Sequence, residues 1–157
     1  MEFLSEGSEH TFDAMQTIFW FSMVFMSLIS ETLALYFHLS HDDLKTGKVT
    51  AFEVTQSFRE YTPIEVVLQA VLSISALAYG SLLVFVLNLP LLVYNIFSIV
   101  KGKFRYYAFT LNEYKDMHFN EKVIRFKLVY YLIILLIVSF NFLHSFTRML
   151  LYRIFGI

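Results

Sequence analysis

The 157-residue chain contains no cysteine. Disulfides, thiolate zinc sites and palmitoylation are thereby excluded, although the redox compartment stays open. No Asn-x-Ser/Thr sequon occurs, so glycosylation gives no guide to sidedness. Residues 1–13 lack Lys and Arg and carry Glu2, Glu6, Glu9 and Asp13 instead. Without a basic n-region or a small-residue cleavage site, this stretch reads as a short polar tail, not a cleavable signal. Charged residues make up only 16% of the chain, and a net charge of −1 offers no basic field to nucleic acid. A nucleophile–base pair, a glycine-rich phosphate cradle and a paired carboxylate set are also missing, so no enzyme is expected and no cofactor is implied.

What remains is apolar. The chain is 57% hydrophobic and 18% aromatic, with a mean hydropathy of +0.61. A soluble domain is about 45–50% apolar, counting glycine. Eighteen phenylalanines and ten tyrosines cannot all enter one soluble core of this size. The expectation is a single all-α integral membrane domain.

Its spans follow from the apolar runs. The first covers about Ala14 to Leu39, long enough for a tilted helix, since about 20 residues cross the hydrocarbon core. Between Pro63 and Val100 the only charge is Glu65. As one straight helix this run would measure about 55 Å, against a core of about 30 Å. It must double back, and Ala78-Tyr79-Gly80-Ser81 is the place, because glycine permits a tight reversal. That gives spans 63–79 and 82–100 joined by a short hairpin. Residues 123–151 form the last. Four transmembrane helices are expected, with loops at 40–62 and 101–122.

Several local signals refine the outline. Thr50 and Glu53 have capping-box spacing and predict a short amphipathic helix over Ala51–Glu60. Thr62-Pro63-Ile64-Glu65 reads as the start of the second span, with threonine capping, proline in the first turn and glutamate reaching back. Ala70, Ser73, Ala76 and Gly80 offer close helix contact, including a small-xxx-small pair at Ala76 and Gly80. In the third span Pro90 cannot donate to the carbonyl of Val86, which predicts a kink. Asn88 and Asn95 are unfavourable against lipid and should face protein.

Glu31, near the far end of the first span, fits a functional polar site, a partner-binding face or a structural role at the interface. His38 and His41, three apart beside Asp42 and Asp43, fit part of a metal site or the polar end of a helix. The remaining histidines, His10, His118 and His144, are scattered, and the helix end is the reading adopted.

Charge asymmetry sets the orientation. Loop 40–62 carries Lys45, Lys48 and Arg59, and loop 101–122 carries Lys101, Lys103, Arg105, Lys115 and Lys122. The other side has Arg153, with Arg148 near a helix end. The positive-inside rule places both loops in the cytosol and both termini in the lumen. The cluster at 101–105 also suits anionic headgroups, although topology alone accounts for it.

The stretch from Leu87 through Asn88 and Pro90 to Tyr94-Asn95 resembles the leucine–asparagine–hydrophobic–proline signature of the cornichon family. Asp42-Asp43-Leu44-Lys45-Thr46 resembles the acidic-leucine element after that family's first span, without the Asn-Pro that commonly follows. Pro63 and Glu65 resemble its Pro-Glu, with Ile64 inserted. Arg125–Leu132 and Arg148-Met149 are similar to the opening and end of its last span, which here runs about two helical turns longer.

The resemblance implies a receptor that selects transmembrane clients for export from the endoplasmic reticulum in COPII vesicles, cycling between that membrane and the Golgi. It implies no cofactor, and its partners are clients, coat components and the bilayer. Candidate client-facing residues, chosen for polarity, are Glu31, Gln69, Ser73 and Ser75. The family's coat-contacting motif would fall at Tyr107–Leu111 or Asn112–Tyr114, making Thr110, Leu111, Asn112, Glu113 and Tyr114 the candidate coat-facing set. Some animal members serve as auxiliary subunits of AMPA-type glutamate receptors, so a stable auxiliary subunit of a channel or transporter is the alternative. A small membrane enzyme or transporter using Glu31, His38 and His41 is the third reading.

Overall fold

A computed structural model describes the backbone of residues 2–100 and 114–155, and the side chains of 14–97, 100 and 121–154. The described residues are all-helical: α1 (Glu2–Lys45), α2 (Ala51–Ala78), α3 (Leu82–Val100) and α4 (Tyr114–Phe155). α1 packs most extensively on α4, antiparallel to it, with Thr17 beside Ser145 at one end and Lys45 beside Glu121 at the other, and α2 packs on α3.

Three helices are long and apolar enough to cross a membrane, over Ala14–Lys45, Ala51–Ala78 and Glu121–Ile154. The described apolar stretch of α3, Leu82–Phe97, is shorter. At 19 residues, α3 is about 29 Å long, close to the thickness of the hydrocarbon core.

Helix ends explain most boundaries. The N–H groups of Gly80 and Ser81 donate to the carbonyls of Leu77 and Ala76, at 3.0 and 2.9 Å. Gly80 takes the left-handed conformation at φ 72°. This is a Schellman cap, and the expected hairpin is present. The same arrangement ends α1, where Gly47 (φ 73°) and Lys48 donate to Leu44 and Asp43. At the start of α2, Glu53 N–H donates to Thr50 Oγ1 and Thr50 N–H to Glu53 Oε2, closing the expected capping box.

Four expectations need correction. Residues 2–13 are not a separate tail but the opening turns of α1. The amphipathic segment and second span are one helix, with Thr62 and Pro63 inside it. Thr62 is buried in the bundle, so it caps nothing. Pro63 lies on the exposed face, where the Arg59 carbonyl it leaves unpaired is not enclosed by protein. Loop 40–62 is therefore reduced to the turn between α1 and α2, and loop 101–122 loses its last nine residues to α4. Lastly, a Cβ added at Gly80 would meet nothing within 4 Å. The glycine's role is the cap, not close contact with a neighbouring helix, although Ala76 is fully buried.

Each helix buries one stripe at steps of three and four residues. On α1 it runs through Trp20, Met23, Ser27, Ser30, Ala34, Phe37, His41 and Leu44, the spacing of left-handed helix packing. The opposite faces are lined by exposed Phe, Leu, Ile and Val, among them Ile18, Phe25, Val86, Leu136 and Phe140. A soluble bundle shows the reverse; this exterior suits lipid. One apolar cluster, with Trp20, Met23, Leu72, Ala76, Val84 and Ile134, fills the hairpin end. Another, with Phe37, Leu44, Val54, Phe58 and Ile124, fills the end where α1 meets α2.

Candidate functional site: a polar layer inside the bundle

Between those two clusters the interior turns polar. From α2 come Glu65, Gln69 and Ser73, from α3 Asn88 and Asn95, and from α4 Lys127 and Tyr131, all buried. Their spacing follows from the stripes. Glu65, Gln69 and Ser73 are four apart, Asn88 and Asn95 seven, and Lys127 and Tyr131 four, so each set projects from one helical face.

The charged end of the layer is a closed unit. Lys127 Nζ donates to Glu65 Oε1 and Oε2 at 2.8 and 2.9 Å. Tyr131 OH donates to Glu65 Oε1 at 2.7 Å. A buried carboxylate is tolerated only when its oxygens are engaged, and here they are.

The amide end continues the layer. Asn95 lies beside the Tyr131 hydroxyl and donates from Nδ2 to Gln69 Oε1 at 2.6 Å. Gln69 Nε2 points at the Asn88 carbonyl at 3.5 Å. Asn88 Nδ2 donates to the Val84 carbonyl at 2.9 Å, and Ser73 Oγ to the Gln69 carbonyl at 2.9 Å. Among the described residues, Asn88 Oδ1 and Asn95 Oδ1 accept nothing. The layer can bind, hold and align; it contains no group poised as a nucleophile.

The residues singled out from sequence fall into three groups. Asn88 and Asn95 are fully buried and face protein, as expected. Pro90 and Tyr94, from the same signature, lie on the outer side of α3. Of the polar positions read as client-facing, Gln69 and Ser73 are fully enclosed in the layer, whereas Glu31 and Ser75 are half-buried. Glu31 Oε2 has no hydrogen-bond partner among the described residues. Thr110 to Glu113 lie outside the described residues, as does the Tyr114 side chain at the start of α4.

His38 and His41 sit in the last turns of α1. His38 Nδ1 is 4.0 Å from Asp42, and His41 is fully buried with neither ring nitrogen hydrogen-bonded among the described residues. Nearby, Glu121 of α4 pairs with Lys45 of α1 and, at 2.6 Å, with Arg125. No group of three or more metal-ligating side chains occurs among the described residues.

Sequence reasoning missed the partnership of Glu65 with Lys127 and Tyr131. The cap that Thr62-Pro63-Ile64-Glu65 suggests does not form, because α2 starts at Ala51 with Thr50 as its cap. The available signal was that Glu65 is the lone charge in a 38-residue apolar run. Such a carboxylate calls for a buried cation on another span.

A family model described as Cornichon protein matches residues 17–140, most of the chain and every residue of the polar layer. No curated protein and no solved structure matches.

Proposed function

The chain belongs to the cornichon family, and on that premise we propose that it selects transmembrane clients for COPII-dependent export from the endoplasmic reticulum. At the coarser level, the family carries a trafficking role for membrane cargo, and this chain is a multi-pass membrane protein of the secretory pathway. The observation that supports the finer reading is the family match over 17–140, joined to an apolar exterior and a buried polar layer tied together by Glu65–Lys127 and Gln69–Asn95.

In this reading α3 also crosses the bilayer, which brings the number of spans to four. The turn between α1 and α2 and the segment between α3 and α4 face the cytosol, and both termini are lumenal. The distribution of Lys and Arg supports that orientation. Thr110, Leu111, Asn112, Glu113 and Tyr114 then belong to a cytosolic segment with access to the coat. Glu31 and Ser75 are the polar positions left for contact with a client helix, since Gln69 and Ser73 are occupied in holding the bundle together. Recognition of this kind needs polar and small side chains at helix surfaces and no bond-making chemistry.

Deletion of the gene followed by surface proteomics tests the reading. A receptor predicts that a subset of membrane proteins is held in the endoplasmic reticulum. An auxiliary subunit would instead remain with one partner at the cell surface. Normal trafficking of all membrane proteins in the deletion strain would reject the receptor. Orientation is read separately: tags at both ends should resist protease in sealed microsomes, and digestion of either would overturn it.

A further inference from the structure

Between α3 and α4 lies a groove of about 390 Å³. Leu91 and Lys127 form its buried wall, and Pro90, Tyr94, Val123 and Phe126 line it with Lys122. The lining is apolar except for the two lysines and the Tyr94 hydroxyl.

The lysines differ. Lys127 is committed to Glu65 inside the bundle. The other carboxylate on this side, Glu121, is engaged by Lys45 and Arg125. Lys122 is exposed and has no ion-pair partner among the described residues. Among the described residues, Lys122 is thus the groove cation without a carboxylate partner.

Position along the membrane normal adds a second constraint. The apolar run of α3 gives way to Lys101, and in α4 Glu121, Lys122 and Arg125 precede the charge-free stretch that starts at Leu128. Lys122 therefore lies at the depth of lipid headgroups, and Tyr94 stands within about two turns of the end of α3. Below them the groove is hydrocarbon-like.

We propose that this groove binds a single phospholipid with a net negative headgroup. Its phosphate is held by the Lys122 ammonium and the Tyr94 hydroxyl, and its acyl chain lies along Pro90, Leu91, Val123 and Phe126. The chemistry of the lining favours a lipid over a client helix: an apolar wall takes an acyl chain, and a cation beside a hydroxyl at one end takes an anionic headgroup.

The test uses the full chain in phosphatidylcholine nanodiscs containing a small fraction of phosphatidylinositol or phosphatidylcholine with a photoreactive acyl chain. Labelled peptides are read by mass spectrometry. Peptides covering 90–94 and 122–126 should be labelled about fivefold more by phosphatidylinositol, the ratio for roughly 1 kcal/mol per basic residue at a membrane surface. Lys122→Glu, at an exposed position, should bring that ratio to one or below, with the thermal transition unchanged. Val123→Trp, filling the groove, should remove labelling by both lipids.

Soluble inositol phosphate in excess should not compete. Equal labelling by the two lipids in the unmodified protein, or a ratio unmoved by Lys122→Glu, overturns the proposal. So does competition by the soluble headgroup, which would make the ligand a free phosphate. Cross-linking of a residue-126 photoprobe to a polypeptide instead of lipid in native microsomes would make the groove a protein-docking face. The site does not depend on what the protein carries, so loss of the cargo reading leaves it standing.

Discussion

Lys127 donates to both carboxylate oxygens of Glu65, across 62 residues of sequence, with both side chains inside the bundle. The pair joins α4 to α2 at the level where the apolar clusters give way to amides. Its contribution is specific alignment more than net stability, because two charges have been taken out of water to make it.

Removal of one partner should therefore be harsher than removal of both. Lys127→Met strands a buried carboxylate and is expected to destabilise by about 3–5 kcal/mol. Glu65→Leu combined with Lys127→Met should recover a substantial part of that loss. Thermal inactivation followed by size-exclusion chromatography in detergent ranks the variants. A double variant as unstable as the sum of the singles would show that the pair is not coupled.

The two asparagines should be unequal to their signature neighbours. Asn95→Ala leaves Gln69 Oε1 without its 2.6 Å donor. The expected loss is about 0.6–1.7 kcal/mol, the span for polar contacts between membrane helices. Tyr94→Ala, at a position 38% exposed, should change stability by less than about 0.5 kcal/mol. The same thermal assay reads both, and a larger loss for Tyr94→Ala than for Asn95→Ala would contradict the polar layer.

Gly80 tests the hairpin through backbone strain alone. A Cβ there meets nothing within 4 Å, but φ is 72°. Gly80→Ala should be destabilising by about 1–2 kcal/mol, and Gly80→Asn by less, since asparagine visits the left-handed region more readily. Equal effects of the two substitutions would argue against the Schellman cap.

Thr50→Ala removes the side chain that accepts from Glu53 N–H. A loss of about 0.5–2 kcal/mol is expected. Hydrogen exchange should accelerate in the first turn of α2 and leave α3 unchanged. Uniform acceleration through all helices would mean that the cap acts on global unfolding.

Much of this was legible residue by residue. The Thr50–Glu53 box and the Gly80 reversal are local, and local signals survive folding because their partners are within a few residues. The inward orientation of Asn88 and Asn95 followed from the penalty of an amide in hydrocarbon. Thr62-Pro63-Ile64-Glu65 misled for a related reason. Its cap geometry is locally sound, but burial of Thr62 and the pull of Lys127 on Glu65 outweighed it. Polarity alone also made Gln69 and Ser73 resemble surface contacts, because a polar residue in an apolar run can turn towards a client or towards its own bundle.

Composition and apolar run length, taken alone, decided that this chain is helical, belongs in a membrane and must reverse near Gly80. Those outcomes depend on hydration and backbone chemistry, which act through each residue and its near neighbours. Tertiary structure decided that Glu65 meets Lys127 and Tyr131, that Asn95 meets Gln69, and that Pro90 and Tyr94 look outward. Such pairings depend on how helices far apart in sequence are rotated and set in depth against one another, and no local pattern specifies that.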